Sequence, residues 1–298
     1  MYPVGDYLEI FKIDKTFRFY SPDSLDKEKS DPNMPSMAVP VADVGSGNYI
    51  VARVFIQTME GITHTPLRKG INTKELALLA HKAKELLLGC EGSYNNFLAQ
   101  YDSAVKDIGA GIKKSGNVFM GVPTVKGLPD ISSAFLMAAK NVIQVEAEIF
   151  NEFFQTKFDG PRFDKVLQWA EANLSKNPAF IQFLSDNHAF LKCIVDMRNA
   201  QEHPKKEKEL IVKDFRLQPH HKIAPPTWHV TGSDEMDMKS DMKDILDGLV
   251  VFHESLMVYC LMTNLNSKFP YKVLTIPEED RDLNCPIRYK LEIDLNIV

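Results

Sequence analysis

The hydrophobic and polar positions of the first sixty residues read as β. Leu8-Glu9-Ile10-Phe11-Lys12-Ile13 and Thr16-Phe17-Arg18-Phe19-Tyr20 flank Asp14-Lys15, a pattern that predicts a β-hairpin. Ser21–Pro35 is polar and carries prolines, so it reads as a loop. Ala38–Val44 and Tyr49–Gln57 then flank Gly45-Ser46-Gly47-Asn48, a turn rich in residues that tolerate positive φ, and predict two further strands.

The period changes to that of a helix near Asn72. Asn72 or Thr73 can cap a helix in which Leu76, Leu79, Ala80, Ala83, Leu86 and Leu87 share a face, continuing towards Ile108, with Gly89 and Gly92 as points where it could kink. A stretch with Gly109, Gly111, Gly116, Gly121, Pro123, Gly127 and Pro129 reads as a loop. A second long helix is predicted from near Ile131 to Phe158. Asp159-Gly160-Pro161 stops it and opens a shorter third helix ending near Leu174. Asn177-Pro178 opens a fourth, ended near His203 because Pro204 disfavours the α conformation at the preceding residue.

Leu210–Phe215 and Trp228-His229-Val230 predict a small hairpin, and Lys239–Leu265 a fifth helix with Met242, Ile245, Leu249, Leu256 and Cys260 inward. Alternation returns in Arg288–Leu295. The expectation is a mainly α protein: an antiparallel bundle of about five helices, short β segments at both termini that could pair into one sheet, and a small hairpin before the last helix. Three regions follow: a β-rich segment (1–60), the helical bundle (72–267) and a β-containing tail (271–298).

Composition narrows the function classes. With 298 residues, 44% of them hydrophobic and 25% charged, the chain can bury a substantial core. Lys+Arg number 35 against 40 Asp+Glu, a formal net charge of −5, which argues against coating nucleic acid through bulk charge but leaves room for a local basic site. Cys90, Cys193, Cys260 and Cys285 lie far apart, so neither a zinc cluster nor a disulfide framework is expected. Cys193 and Cys260 fall in apolar helical patterns and are expected as buried thiols. The N-terminus lacks a basic region followed by an apolar core, and Asp247, His253 and Glu254 interrupt the most apolar helix. A soluble cytoplasmic protein without a membrane span is the expectation.

Candidate chemistry concentrates in Asp196-Met197-Arg198-Asn199-Ala200-Gln201-Glu202-His203-Pro204. A guanidinium and an imidazole sit at the C-terminal end of a helix, where the negative end favours positive charge. Arg198 can clamp a phosphate bidentately and Asn199 adds a hydrogen-bond donor. Five residues turn a regular helix by about 140°, so Arg198 and His203 converge only if the helix loosens before Pro204. Spacing alone favours a solvated helix end with a salt-bridged Arg over a phosphate site.

The Arg198-Asn199-Ala-Gln-Glu-His203 run resembles the signature of the HEPN superfamily, Arg-(x4–6)-His with a polar residue after the Arg, at the end of a long helix. The likeness covers roughly residues 72–267. It implies a metal-independent endoribonuclease without cofactor, acting on RNA at a composite site formed by a homodimer, in the manner of a toxin or defence effector. Arg198 would bind the scissile phosphate, His203 would transfer protons and Asn199 would orient the phosphate or Arg198. The other reading is a non-catalytic HEPN-like dimerisation or nucleotide-binding module. Toxins of this kind that are silenced by a nucleotidyltransferase carry a Tyr two residues after the His. Lys205 stands there, which argues against that kind of antitoxin. Lys205 and Lys206, with Lys208, offer RNA-backbone contacts, or a solvated loop interleaved with Glu207 and Glu209.

Other histidines have plainer readings. His220, His221 and His229 lack a Cys or carboxylate to complete a metal site. His253, between Leu249, Leu256 and Met257, reads as a satisfied core histidine, and His188 likewise. His81 and Glu85 read as a surface i,i+4 pair. Met236, Met238 and Met242 fit a core or a pliable groove.

Overall fold

The computed structural model describes residues 1–109, 121–266 and 270–293. Gly111 and Gly116 of the expected loop, and Asp294 and Leu295 of the C-terminal alternation, lie outside the described residues. The elements run β1 (Tyr2–Val4), β2 (Tyr7–Phe11), β3 (Thr16–Tyr20), α1 (Pro22–Leu25) and β4 (Met37–Ala42). A π-helical segment (Val51–Ile56) leads into α2 (Gln57–His64), followed by α3 (Thr73–Gly109), α4 (Leu128–Phe154), α5 (Phe163–Asn173) and α6 (Pro178–Glu202). Then come β5 (Leu210–Lys213), β6 (Arg216–Gln218), β7 (Lys222–Ala224), β8 (Thr227–Val230), β9 (Met236–Asp237), α7 (Met238–Thr263), β10 (Tyr271–Thr275) and β11 (Tyr289–Ile293).

These elements correct the expected five-helix bundle. The described residues are 54% helical and 18% strand, with seven α-helices and several small antiparallel sheets, a mixed α/β protein. Two physical causes account for the difference. The run Ile50–Phe55 was expected within a strand but is helical, and five of its six residues are buried. An apolar run without polar alternation suits a helix buried on all sides as well as it suits a strand. The remaining cause is short strands added by local pairing: β1 on β2, β9 on β8, and the β6–β7 hairpin. The terminal β segments form separate sheets, β1-β2-β3-β4 and β10-β11, rather than one.

The chain divides into two compact units. One comprises Met1–Glu85, Gln144–Ile181 and Val250–Val298; the other comprises Leu86–Ile143 and Gln182–Leu249. In the first, the turn after β4 lies on the β2–β3 hairpin, with Ser46 N–H donating to the Lys12 carbonyl at 2.8 Å. A Cβ on Gly45 would stand 1.9 Å from that carbonyl, so glycine is needed here for close backbone approach rather than for positive φ. Asn48 then caps the following helix: its Oδ1 accepts from the N–H groups of Ile50 at 2.8 Å and Val51 at 3.3 Å. Asn48→Ala is expected to cost about 0.5–2 kcal/mol of unfolding free energy in urea, with Asn48→Asp largely retained. An unchanged midpoint in Asn48→Ala would remove the cap from the account.

Aromatic packing and buried charge complete this unit. The Phe180 and Tyr259 rings stack at 4.9 Å, and Phe163 meets Phe252 edge-on at 5.3 Å. Arg53 holds Glu254 through two hydrogen bonds, Nε to Oε1 at 2.9 Å and Nη2 to Oε2 at 2.5 Å, and Arg288 adds a third at 3.2 Å. Gln57 accepts the backbone N–H groups of Arg288 and Tyr289, which ties β11 to α2.

The second unit packs the β5-β8-β9 sheet around Trp228. That fully buried side chain lies 6.1 Å from Phe135 and donates Nε1–H to Asp241 Oδ2 at 2.5 Å. Gly248 lets α7 approach Phe190, whose Cζ would lie 2.6 Å from an added Cβ. Among the described residues α7 is the one helix long and apolar enough to cross a membrane; most of its apolar stretch is buried inside the protein.

Candidate functional site

The Arg198–His203 segment closes α6 in the second unit. Ile194, Met197 and Ala200 are buried and anchor one face of the helix, leaving Arg198 and Asn199 half-buried and His203 exposed. Arg198 Nη1 donates to Gln201 Oε1 at 3.0 Å, and its Nε stands 3.9 Å from Glu202 Oε2. Lys140, reaching across from α4, donates to Asn199 Oδ1 at 2.9 Å and to Glu202 Oε2 at 3.3 Å. The structure therefore adds a cation that the motif did not reveal.

The charges form a small, net-positive cluster. The hydrogen bond and charge of Lys140, then the charges of Arg198 and His203, hold the Glu202 carboxyl below its usual range. One carboxylate thus faces two permanent cations and a titratable imidazole. No side-chain hydrogen bond engages His203 among the described residues. Its backbone N–H donates to the Asn199 carbonyl at 2.9 Å, the ordinary i→i−4 bond. The helix therefore stays regular up to His203. Arg198 and His203 leave it about 140° apart around its axis, and no hydrogen bond joins their side chains among the described residues.

Beyond Pro204 the chain makes a tight turn. The backbones of Lys205 and Lys208 bond each other at 3.1 and 2.8 Å. Lys205 and Lys206 are exposed and have no ion-pair partner among the described residues, whereas Lys208 is bound to Asp196 at 2.8 Å, alongside Lys192 at 2.5 Å. Of the three lysines of this turn, Lys205 and Lys206 are therefore the ones without an ion-pair partner among the described residues.

The plainer candidates are also located. His253 is fully buried and fully engaged, as its apolar neighbours suggested: Nδ1 lies 2.8 Å from Glu146 Oε1, and Nε2 lies 3.0 Å from the Val54 carbonyl and 3.1 Å from Thr58 Oγ1. Met238 and Met242 are core residues, and Cys260 is buried, but Cys193 is exposed, correcting the expectation for that thiol. It falls on the solvent side of α6, between the buried Leu191 and Ile194.

His81 is more than a surface partner of Glu85. Its Nε2 lies 2.8 Å from Glu9 Oε1, in a cluster where Glu9, His81 and Glu85 could present three ligand atoms to a metal. Lys84 already pairs with both carboxylates, its Nζ 2.6 Å from Glu9 and 3.1 Å from Glu85, and Arg18 lies 3.5 Å from Glu9. Burial would raise the Glu9 carboxyl, but the His81 and Lys84 hydrogen bonds outweigh it and bring its pKa down to about 2. A buried ammonium in the centre of the carboxylates makes this an ion-pair network rather than a metal site.

No family model matches the chain, and neither a curated protein nor a solved structure matches it.

Proposed function

We propose that the chain is a metal-independent endoribonuclease whose site is completed by two copies of the α6 end. The carrying observation is the net-positive cluster of Lys140 and Arg198, held by Asn199 and Glu202, beside an unengaged His203. A phosphodiester fits such a cluster because the guanidinium fork and an ammonium match its oxygens. The resemblance of the Arg198–His203 run to the HEPN signature supplies the reaction class.

In that reaction the ribose 2′-oxygen bonds to phosphorus while the bond from phosphorus to the 5′-oxygen breaks. A neutral imidazole takes the 2′-hydroxyl proton, and an imidazolium gives one to the leaving oxygen. Arg198 and Lys140 stabilise the charge on the non-bridging oxygens. With Arg198 and His203 on different sides of one helix end, a two-fold pair of chains supplies the missing groups to each site. Lys205 and Lys206 contact the flanking backbone.

The test is incubation of the full chain with single-stranded RNA in EDTA. Products ending in 2′,3′-cyclic phosphate are expected, with no cleavage of DNA, which lacks the nucleophile. A second reading is favoured by one observation: Arg198 already bonds Gln201 and approaches Glu202, which would make it a structural clamp in a non-catalytic dimerisation module. Absence of RNA cleavage by a folded dimer would establish that reading over the first.

A further inference from the structure

The first unit contains a cavity of about 650 Å³ whose chemistry no other observation has used. It lies where the loop after α2 meets the ends of α4, α5 and α7 and the entry to α6. Arg68, Lys69 and Lys176 line it, all exposed, and none has a carboxylate partner among the described residues. Among the described residues no Asp or Glu lines the cavity. Its apolar wall includes Phe154 and Trp169, rings 5.3 Å apart and only half-buried. Gln155, Asn173 and Asn177 add amide groups.

The loop bearing Arg68 and Lys69 is held by backbone hydrogen bonds. Arg68 N–H donates to the Asn264 carbonyl at 3.0 Å, and Asn266 N–H donates to the Pro66 carbonyl at 2.7 Å. Gly70, at φ +100°, lies so close to Gln155 that an added Cβ would stand 2.7 Å from its Nε2. The cavity wall is thus built on hydrogen-bonded backbone rather than on a loose loop.

Helix ends offer a competing account of the three cations. The carbonyl ends of α4, α5 and α7 each act as roughly half a negative charge, and the entry to α6 as half a positive one. These partial charges offset about one of the three cations, leaving a surplus of about two positive charges. Dipole compensation therefore leaves most of the positive charge unexplained, and it gives no reason for aromatic faces beside it. The volume falls within the roughly 300–1,000 Å³ of small-molecule sites.

We propose that this cavity binds a nucleoside phosphate, its base against Trp169 and Phe154 and its phosphate against Arg68, Lys69 and Lys176. Aromatic faces take any base by stacking, and amides can reach its edge. The same chemistry is presented by a free nucleotide and by the 5′-phosphorylated end of an RNA.

The test measures AMP binding to the full chain by calorimetry and by tryptophan fluorescence. Trp169 lies at the cavity while Trp228 is fully buried away from solvent, so a saturable quench that disappears in Trp169→Phe is expected. Adenosine and inorganic phosphate should each bind at least about tenfold more weakly than AMP, and Lys69→Gln with Lys176→Gln should weaken AMP by about as much. A 5′-phosphorylated RNA tetranucleotide that binds more tightly than AMP identifies an RNA end as the source; equal binding identifies the free nucleotide. No AMP binding, adenosine as good as AMP, or unchanged affinity in the lysine variant would overturn the assignment. Binding is read without cleavage, so this outcome is independent of the ribonuclease reading.

Discussion

His203→Ala should lower the single-turnover rate of RNA cleavage by roughly 10²–10⁴-fold, the usual contribution of a positioned proton-transfer group. Its exposed position at the end of α6, without a side-chain hydrogen bond among the described residues, means that the fold should survive the change. Arg198→Lys is the more discriminating variant. An ammonium keeps the charge but loses the planar fork, so activity should fall although the net charge of the cluster is unchanged. Lys140→Met should weaken the rate less, because Arg198 remains. Glu202→Gln removes the carboxylate that, among the described residues, is paired with both cations of the cluster, and should tighten RNA binding. Wild-type rates in His203→Ala, or efficient cutting of a substrate carrying 2′-deoxyribose at the scissile position, would eliminate the mechanism.

The features of the chain that were legible in the sequence are those set by local chemistry. α3 starts at Thr73 beside its expected cap, and α6 begins at Pro178 and ends at Glu202, bounded by two prolines. The pairing of β5 with β8 was likewise announced by its flanking apolar runs. The features that were not legible depend on partners distant in sequence. Lys140 meets Asn199 across 59 positions and Glu9 meets Lys84 across 75, and neither residue carries a local signal of its partner. A glutamate in β2 and a lysine in α3 each read as solvent-facing until packing buries them together. The helix over 51–64 was hidden for a different reason: in its first turns Val51, Ala52, Val54, Phe55 and Ile56 are all buried and read as a strand. The polar positions Arg53, Gln57, Glu60 and His64 reveal the helical period only when the whole segment is taken together.

The buried His253–Glu146 pair gives the largest expected effect on stability. Both residues have no exposed surface, and both ring nitrogens face acceptors: Nδ1 the Glu146 carboxylate at 2.8 Å, Nε2 the Val54 carbonyl at 3.0 Å. Thr58 Oγ1 also lies 3.1 Å from Nε2, and the protonated ring is the form that can donate from both nitrogens at once, to Glu146 and to the Val54 carbonyl. Burial alone would favour the neutral ring, but the charge and hydrogen bond of Glu146, with the Val54 bond, raise the His253 pKa above its ordinary value of 6.5. The sign of the pH dependence follows from linkage. The folded chain holds this proton more tightly than the unfolded one, so the pair's contribution is complete below pH 6.5 and is lost as pH rises through the raised native value. Unfolding free energy measured in urea between about pH 6 and pH 9 should therefore contain a falling component that Glu146→Gln abolishes. At the acid end of that range Glu146→Gln should cost about 3–5 kcal/mol, because it leaves a buried cation without its counter-charge. Glu146→Leu combined with His253→Phe should lose less than the two single changes together, since no lone charge remains in the core. A Glu146→Gln variant as stable as wild type at the acid end would show that His253 is neutral in the native chain, because a neutral ring needs no buried anion.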